Sequence, residues 1–134
     1  MDRLRLIALD SEDLAVISAH LQDAVLKVGD IKWLKREGRF VLGLNRFAWE
    51  TSGEGKRSRH FERRRSALHF DRVQKVAAHK IHQDRPEAVL DLLAVRFEET
   101  DMPAGEVTLI FAGGGEVKLT VECIEAQLAD LGPA

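Results

Sequence analysis

One cysteine, Cys123, stands in 134 residues. It has no partner for an internal disulfide, so nothing asks for an oxidising compartment. Long apolar runs are missing as well. Leu6 to Leu9 is cut off at Asp10, short of a signal-peptide core, and no stretch nears the roughly 18 apolar residues of a membrane helix. The cytoplasm is the default location, and no membrane partner is expected. The chain also has no internal repeat, no heptad run and no low-complexity tract. A near-zero formal charge of -2 removes a globally basic nucleic-acid binder and an acidic disordered tail.

That small charge is a cancellation. Residues 1–55 hold 8 basic and 9 acidic groups, residues 56–82 hold 9 and 2, and residues 83–134 hold 3 and 11. A basic centre faces an acidic C-terminal half. At 15.0 kDa with 45% hydrophobic residues, the chain suits one domain with a single core.

Local patterns give the elements. Residues 4–9 form a short apolar segment ending at Asp10-Ser11-Glu12-Asp13, a cluster that caps orphan amides and complements a helix dipole. Leu14, Ile17, Leu21 and Val25 follow at helical spacing, predicting a helix over about 11–22. Trp33-Leu34 and the run Phe40 to Trp49 flank a polar turn with Gly38, which predicts a hairpin. Residues 51–65 lack apolar periodicity and read as a mobile Arg-rich loop. Residues 67–82 fit both a strand and a helix face. A strand with a bulge near Asp71-Arg72 is preferred, because its neighbours are β. Val89 to Glu98 reads as a strand. Glu106 to Ala112 and Glu116 to Glu122 flank three glycines, predicting a hairpin in which Phe111 meets Val117, Leu109 meets Leu119 and Val107 meets Val121. Val121, Ile124, Leu128 and Leu131 then form a helical stripe before Gly132-Pro133, predicting a capping C-terminal helix. The fold class is α+β: an antiparallel β-rich barrel or sandwich with helices at both ends, similar in element order to a pleckstrin-homology-type barrel.

Candidate chemistry is sparse. Gly113-Gly114-Gly115 precede a strand, whereas phosphate loops lead into a helix, so a turn explains them better. His60, His69, His79 and His82 fall in the basic segment, but no cysteine or carboxylate joins them at a ligand spacing. No metal, cofactor or catalytic residue is assigned, and the chain leans away from being an enzyme. Cys123 reads as a small buried hydrophobe before a nucleophile. Trp33, Trp49 and Phe47 serve either a stacking platform or the core, and the core needs fewer assumptions.

One feature exceeds background. Lys56, Arg57, Arg59, Arg63, Arg64 and Arg65 lie within ten residues that hold one acidic group, Glu62. Guanidinium forks recognise phosphate and carboxylate in two-point geometry. The leading expectation is a non-enzymatic binding or interaction module that engages an acidic protein or anionic ligand through this run. Nucleic-acid binding ranks below it. Neutralisation by the acidic C-terminal half, within one chain or by self-association, competes with both.

Leu4 to Asp10, Val28-Gly29-Asp30-Ile31, Leu44-Asn45-Arg46-Phe47 and especially Phe111-Ala112-Gly113-Gly114-Gly115-Glu116 with Leu128-Ala129-Asp130-Leu131-Gly132 resemble an uncharacterised alphaproteobacterial domain-of-unknown-function family. The resemblance implies a bacterial, cytosolic single-domain protein and a strand near residues 66–82. It brings no activity and no catalytic residue.

Overall fold

The computed structural model describes residues 3–48 and 63–134. Asp10 caps the one α-helix among the described residues, α1 (Ser11–His20), by accepting from the Asp13 amide at 2.8 Å, as the acidic cluster predicts. Leu14 and Ile17 point into the core, while Val25 belongs to a strand. α1 is tied to the sheet where the Val95 amide donates to the Ser18 hydroxyl at 2.9 Å.

The strands are β1 (Arg5–Ala8), β2 (Ala24–Lys27), β3 (Ile31–Leu34), β4 (Arg39–Phe47), β5 (Arg63–Phe70), β6 (Val73–His79), β7 (Val89–Glu99), β8 (Gly105–Phe111), β9 (Glu116–Val121) and β10 (Ala126–Pro133). All pair antiparallel in the order β1-β10-β5-β4-β2-β7-β8-β9-β6, with β3 beside β4. The sheet is not closed, and its ends are β1 and β6. Alternate residues of β4, β5, β8, β9 and β10 nevertheless meet in one apolar cluster with Leu14 and Ile17. Faces from both halves of one sheet share a core only if the sheet curves around it. No helix among the described residues is long and apolar enough to cross a membrane.

Residues 67–79 are extended, as preferred over a helix, but as two strands and not one bulged strand: Arg72 takes a left-handed turn (φ 60°) after β5, and β6 ends at His79 and pairs with β9 instead of β4 and β10. The β3–β4 hairpin also forms, turning at Gly38 (φ 63°).

Three expectations are corrected. The C-terminal segment is the strand β10 and not a helix. Ala126, Leu128 and Asp130 face inward, and the segment is sandwiched between β1 and β5, whose ladders satisfy its backbone on both sides. The last hairpin is slipped by two residues: Leu109 faces Val117 and Val107 faces Leu119. The loop is Ala112–Gly114, with Gly113 and Gly114 at φ 88° and 93°, while Gly115 is extended and accepts from the Phe111 amide at 2.9 Å. A two-residue slip leaves every side chain on its predicted face, which alternation alone cannot detect. Finally, Arg63–Arg65 open β5 and do not belong to a loop; residues 51–62 lie outside the described residues.

Candidate functional site

The arginine run is sorted by the pleat of β5. Arg63 faces out, its guanidinium 4.3 Å from the Phe47 ring centre. Arg65 reaches Asp30 and Asn45 on the outer face, at 3.3 Å each. Arg64 points inward and is buried beside Asp130. Lys56, Arg57 and Arg59, together with His60 and Trp49, lie outside the described residues.

Arg64 enters a buried polar layer at the end of the core. β4 supplies Arg46, β5 supplies Arg64 and Ser66, and β10 supplies Asp130, all on the faces that elsewhere carry Leu42, Leu68 and Leu128. Arg46 donates to both Asp130 oxygens, from Nε to Oδ1 at 2.9 Å and from Nη2 to Oδ2 at 2.8 Å. The Ser66 hydroxyl donates to Oδ1 at 2.7 Å, the Leu4 amide to Oδ2 at 2.9 Å, and Arg64 Nη1 stands 3.6 Å from Oδ2. Burial pushes the Asp130 carboxyl up, but the hydrogen bonds from Arg46, Leu4 and Ser66 and the Arg46 charge outweigh it and hold the group at about 2. A saturated carboxylate of this kind is a strut: it joins the starts of β1 and β5 and the ends of β4 and β10. Sequence reading missed it because Arg46 and Asp130 look like isolated surface charges 84 positions apart.

The basic centre is thus partly neutralised within the fold. Arg64 meets Asp130, and Arg72 approaches Glu122 and Glu125 at 3.9 and 3.4 Å, all three acids coming from the acidic half. Among the described residues the histidines do not converge: His69 lies on the outer face of β5 near Asp71, and His79 and His82 are at or beyond the end of β6. Burial lowers the His69 pKa against the opposing pull of Asp71. No group of three metal-ligating side chains occurs among the described residues. Cys123 is half-buried in the bend between β9 and β10, less enclosed than the small buried hydrophobe expected.

A concave feature lies elsewhere. β4 carries β5 along one side; along the other it carries β3 at its start and meets β2 near its end, at Asn45. β2 leaves to pair with β7, and that arm runs through β8 and β9 to β6. β3 and β6 therefore flank an opening in the sheet. One end is clasped where the Val73 amide donates to the Gly38 carbonyl at 2.9 Å. The opening is a cleft of about 450 Å³, with Trp33 and Ile31 on one wall, Val76 and Ala78 on the other, and Phe40 and Val117 at its floor. Lys32 and Gln83 supply polar lining, and Ile81 and Pro86 complete it where the Gly29 amide donates to the Pro86 carbonyl at 2.9 Å. A Cβ at Gly115 would lie 3.1 Å from the Lys80 carbonyl and 2.9 Å from Ile81 Cδ1, so the third glycine eases the close approach of this segment to the hairpin. Trp33 thus packs on the core and lines the cleft as well.

Fold and site together define a mostly antiparallel β domain with one helix, an internal ion-pair strut and an apolar cleft at an open seam. The chain belongs to the family described as "Protein of unknown function (DUF2948)", whose profile matches residues 4–134. No curated protein and no solved structure matches it.

Proposed function

We propose that this chain is a non-enzymatic binding module for an acidic partner, and that the cleft between β3 and β6 is its recognition site. The observation that carries this reading is the pairing of an apolar trough with cationic walls. The trough lies within the roughly 300–1,000 Å³ range of ligand sites. Its walls, Ile31–Leu34 and Val73–His79, carry Lys32, Lys75 and His79 and no acidic side chain. Apolar contact supplies affinity, and the lysines select against cationic partners. A barrel-like organisation, in which the curved sheet closes at this seam when occupied, belongs to the same proposal.

Selection from a random peptide library, run on the full chain and on a Lys32→Glu/Lys75→Glu variant, tests it. The wild-type chain is expected to enrich sequences rich in Asp and Glu, and the variant to lose them. Enrichment without acidic bias, or equal recovery by both proteins, overturns it. Mixed oligonucleotides that bind with a steep salt dependence and displace the peptides support nucleic-acid recognition instead.

A second reading keeps the basic run as the contact, favoured by exposed Arg63 beside Phe47. Reversal of Lys56, Arg57, Arg59 and Arg63 to Glu, with Arg64 left intact, separates it from the cleft.

A further inference from the structure

Resting on that reading of the cleft, we infer that the partner enters as an extended peptide that adds a strand to β6, its apolar and acidic residues alternating. Among the described residues β6 is laddered only to β9, and β3 only to β4. Each therefore turns a row of main-chain donors and acceptors toward the opening they share, and such edges recognise extended backbone. β6 offers the longer row, seven residues against four in β3.

The side chains then specify the sequence pattern. Val76 and Ala78 oppose Leu119 and Val117 on β9 and face the cleft. Lys75 precedes Val76 and opposes Thr120, and Ala77 between the two inward positions opposes Lys118, which puts Lys75 and Lys118 on the outer face. On the opposite wall Trp33 and Ile31 line the cleft, while Lys32 between them is exposed. A strand laid along β6 places every second side chain in the trough, against Trp33, Phe40, Val76 and Val117. The intervening side chains emerge on the outer face, between Lys32 and Lys75. Apolar residues satisfy the first set and carboxylates the second. The Val73–Gly38 bond bridges one end of the seam and the Gly29 amide, donating to the Pro86 carbonyl at 2.9 Å, bridges the other, so the peptide approaches from the outer face between them.

Four synthetic seven-residue peptides, matched to the length of β6, separate this mode from simple charge attraction. The first alternates Val and Glu, and the second has the same composition with Val and Glu in separate blocks. The other two are the alternating peptide N-methylated at odd or at even positions. Binding to the full chain is read by fluorescence anisotropy and by amide shifts of Val73–His79. The alternating peptide is expected to bind at least about tenfold tighter than the block peptide and to move the β6 amides. Methylation of the register facing β6, which blocks three or four amides at once, is expected to cost roughly tenfold or more. The other register, facing the shorter β3, is expected to cost less. Equal binding of alternating and block peptides overturns strand addition and leaves the acidic-partner reading standing, as does indifference to methylation. Failure of every acidic peptide to bind removes both.

Discussion

Arg46 and Asp130, 84 positions apart, form a two-point ion pair in which both side chains are sealed from solvent. Two charges are expensive to bury, and the geometry compensates by giving the carboxylate four hydrogen bonds, from Arg46 twice, Ser66 and Leu4. The Asp130 amide also donates to the Leu4 carbonyl at 2.9 Å, so one residue holds the chain's start against its end.

Removing that carboxylate takes the ion-pair partner from Arg46 and the neighbouring negative charge from Arg64, both buried. Asp130→Ala is expected to destabilise the fold by about 3–5 kcal/mol, the range for breaking a buried pair from one side. Urea denaturation of the variant beside wild type measures this; a loss below about 1 kcal/mol contradicts the strut.

Acid should remove the same contribution. The Asp130 pKa is lower in the folded chain, about 2 against 3.8, so the folded state favours the deprotonated form. The stabilisation is fully present above pH 3.8 and fades as pH falls toward 2. It amounts to roughly 2 kcal/mol at neutral pH. Denaturation midpoints followed from pH 5 to pH 2 are expected to fall more steeply for wild type than for Asp130→Asn, which has no proton to take up.

Neighbouring arginines should answer oppositely. Arg64→Glu sets a second carboxylate beside Asp130 in the interior and is expected to cost several kcal/mol or prevent folding. Arg63→Glu removes an exposed cation–π contact and is expected to cost about 1 kcal/mol or less. Thermal melts of the two variants check this. A combined reversal of Arg63, Arg64 and Arg65 would therefore report on folding before it reported on binding.

Gly38 turns β3 into β4 at φ 63° and accepts the Val73 amide that clasps the seam. A Cβ there would lie 3.3 Å from the Val73 carbonyl. Gly38→Ala is expected to cost about 1–2 kcal/mol for the left-handed backbone, and to speed hydrogen exchange at the Val73 amide. Unchanged exchange at Val73 contradicts the clasp.

What the sequence made legible follows from how local each signal is. The α1 cap, the Gly38 hairpin and the alternating faces of β8 and β9 depend on neighbours within a few residues. β10 did not, because its inward Asp130 interrupts the apolar alternation that marks a strand, while Val121, Ile124, Leu128 and Leu131 happen to match helical spacing. Only Arg46 and Arg64, far away in the chain, make an inward aspartate sensible. Arg64 had the same ambiguity: a run of three arginines reads as solvated until pairing with β4 turns the middle one inward. The cleft was hidden for a different reason. It arises from a ladder that does not form between strands about forty residues apart, and no residue announces it.

The most direct test of the account is where an acidic peptide binds. Amide shifts of the 15N-labelled full chain, titrated with the alternating Val/Glu peptide, are predicted to concentrate in Ile31–Leu34 and Val73–His79, on the two walls of the cleft. Shifts confined to Arg63–Arg65 and the residues before them, with β3 and β6 unmoved, would contradict it.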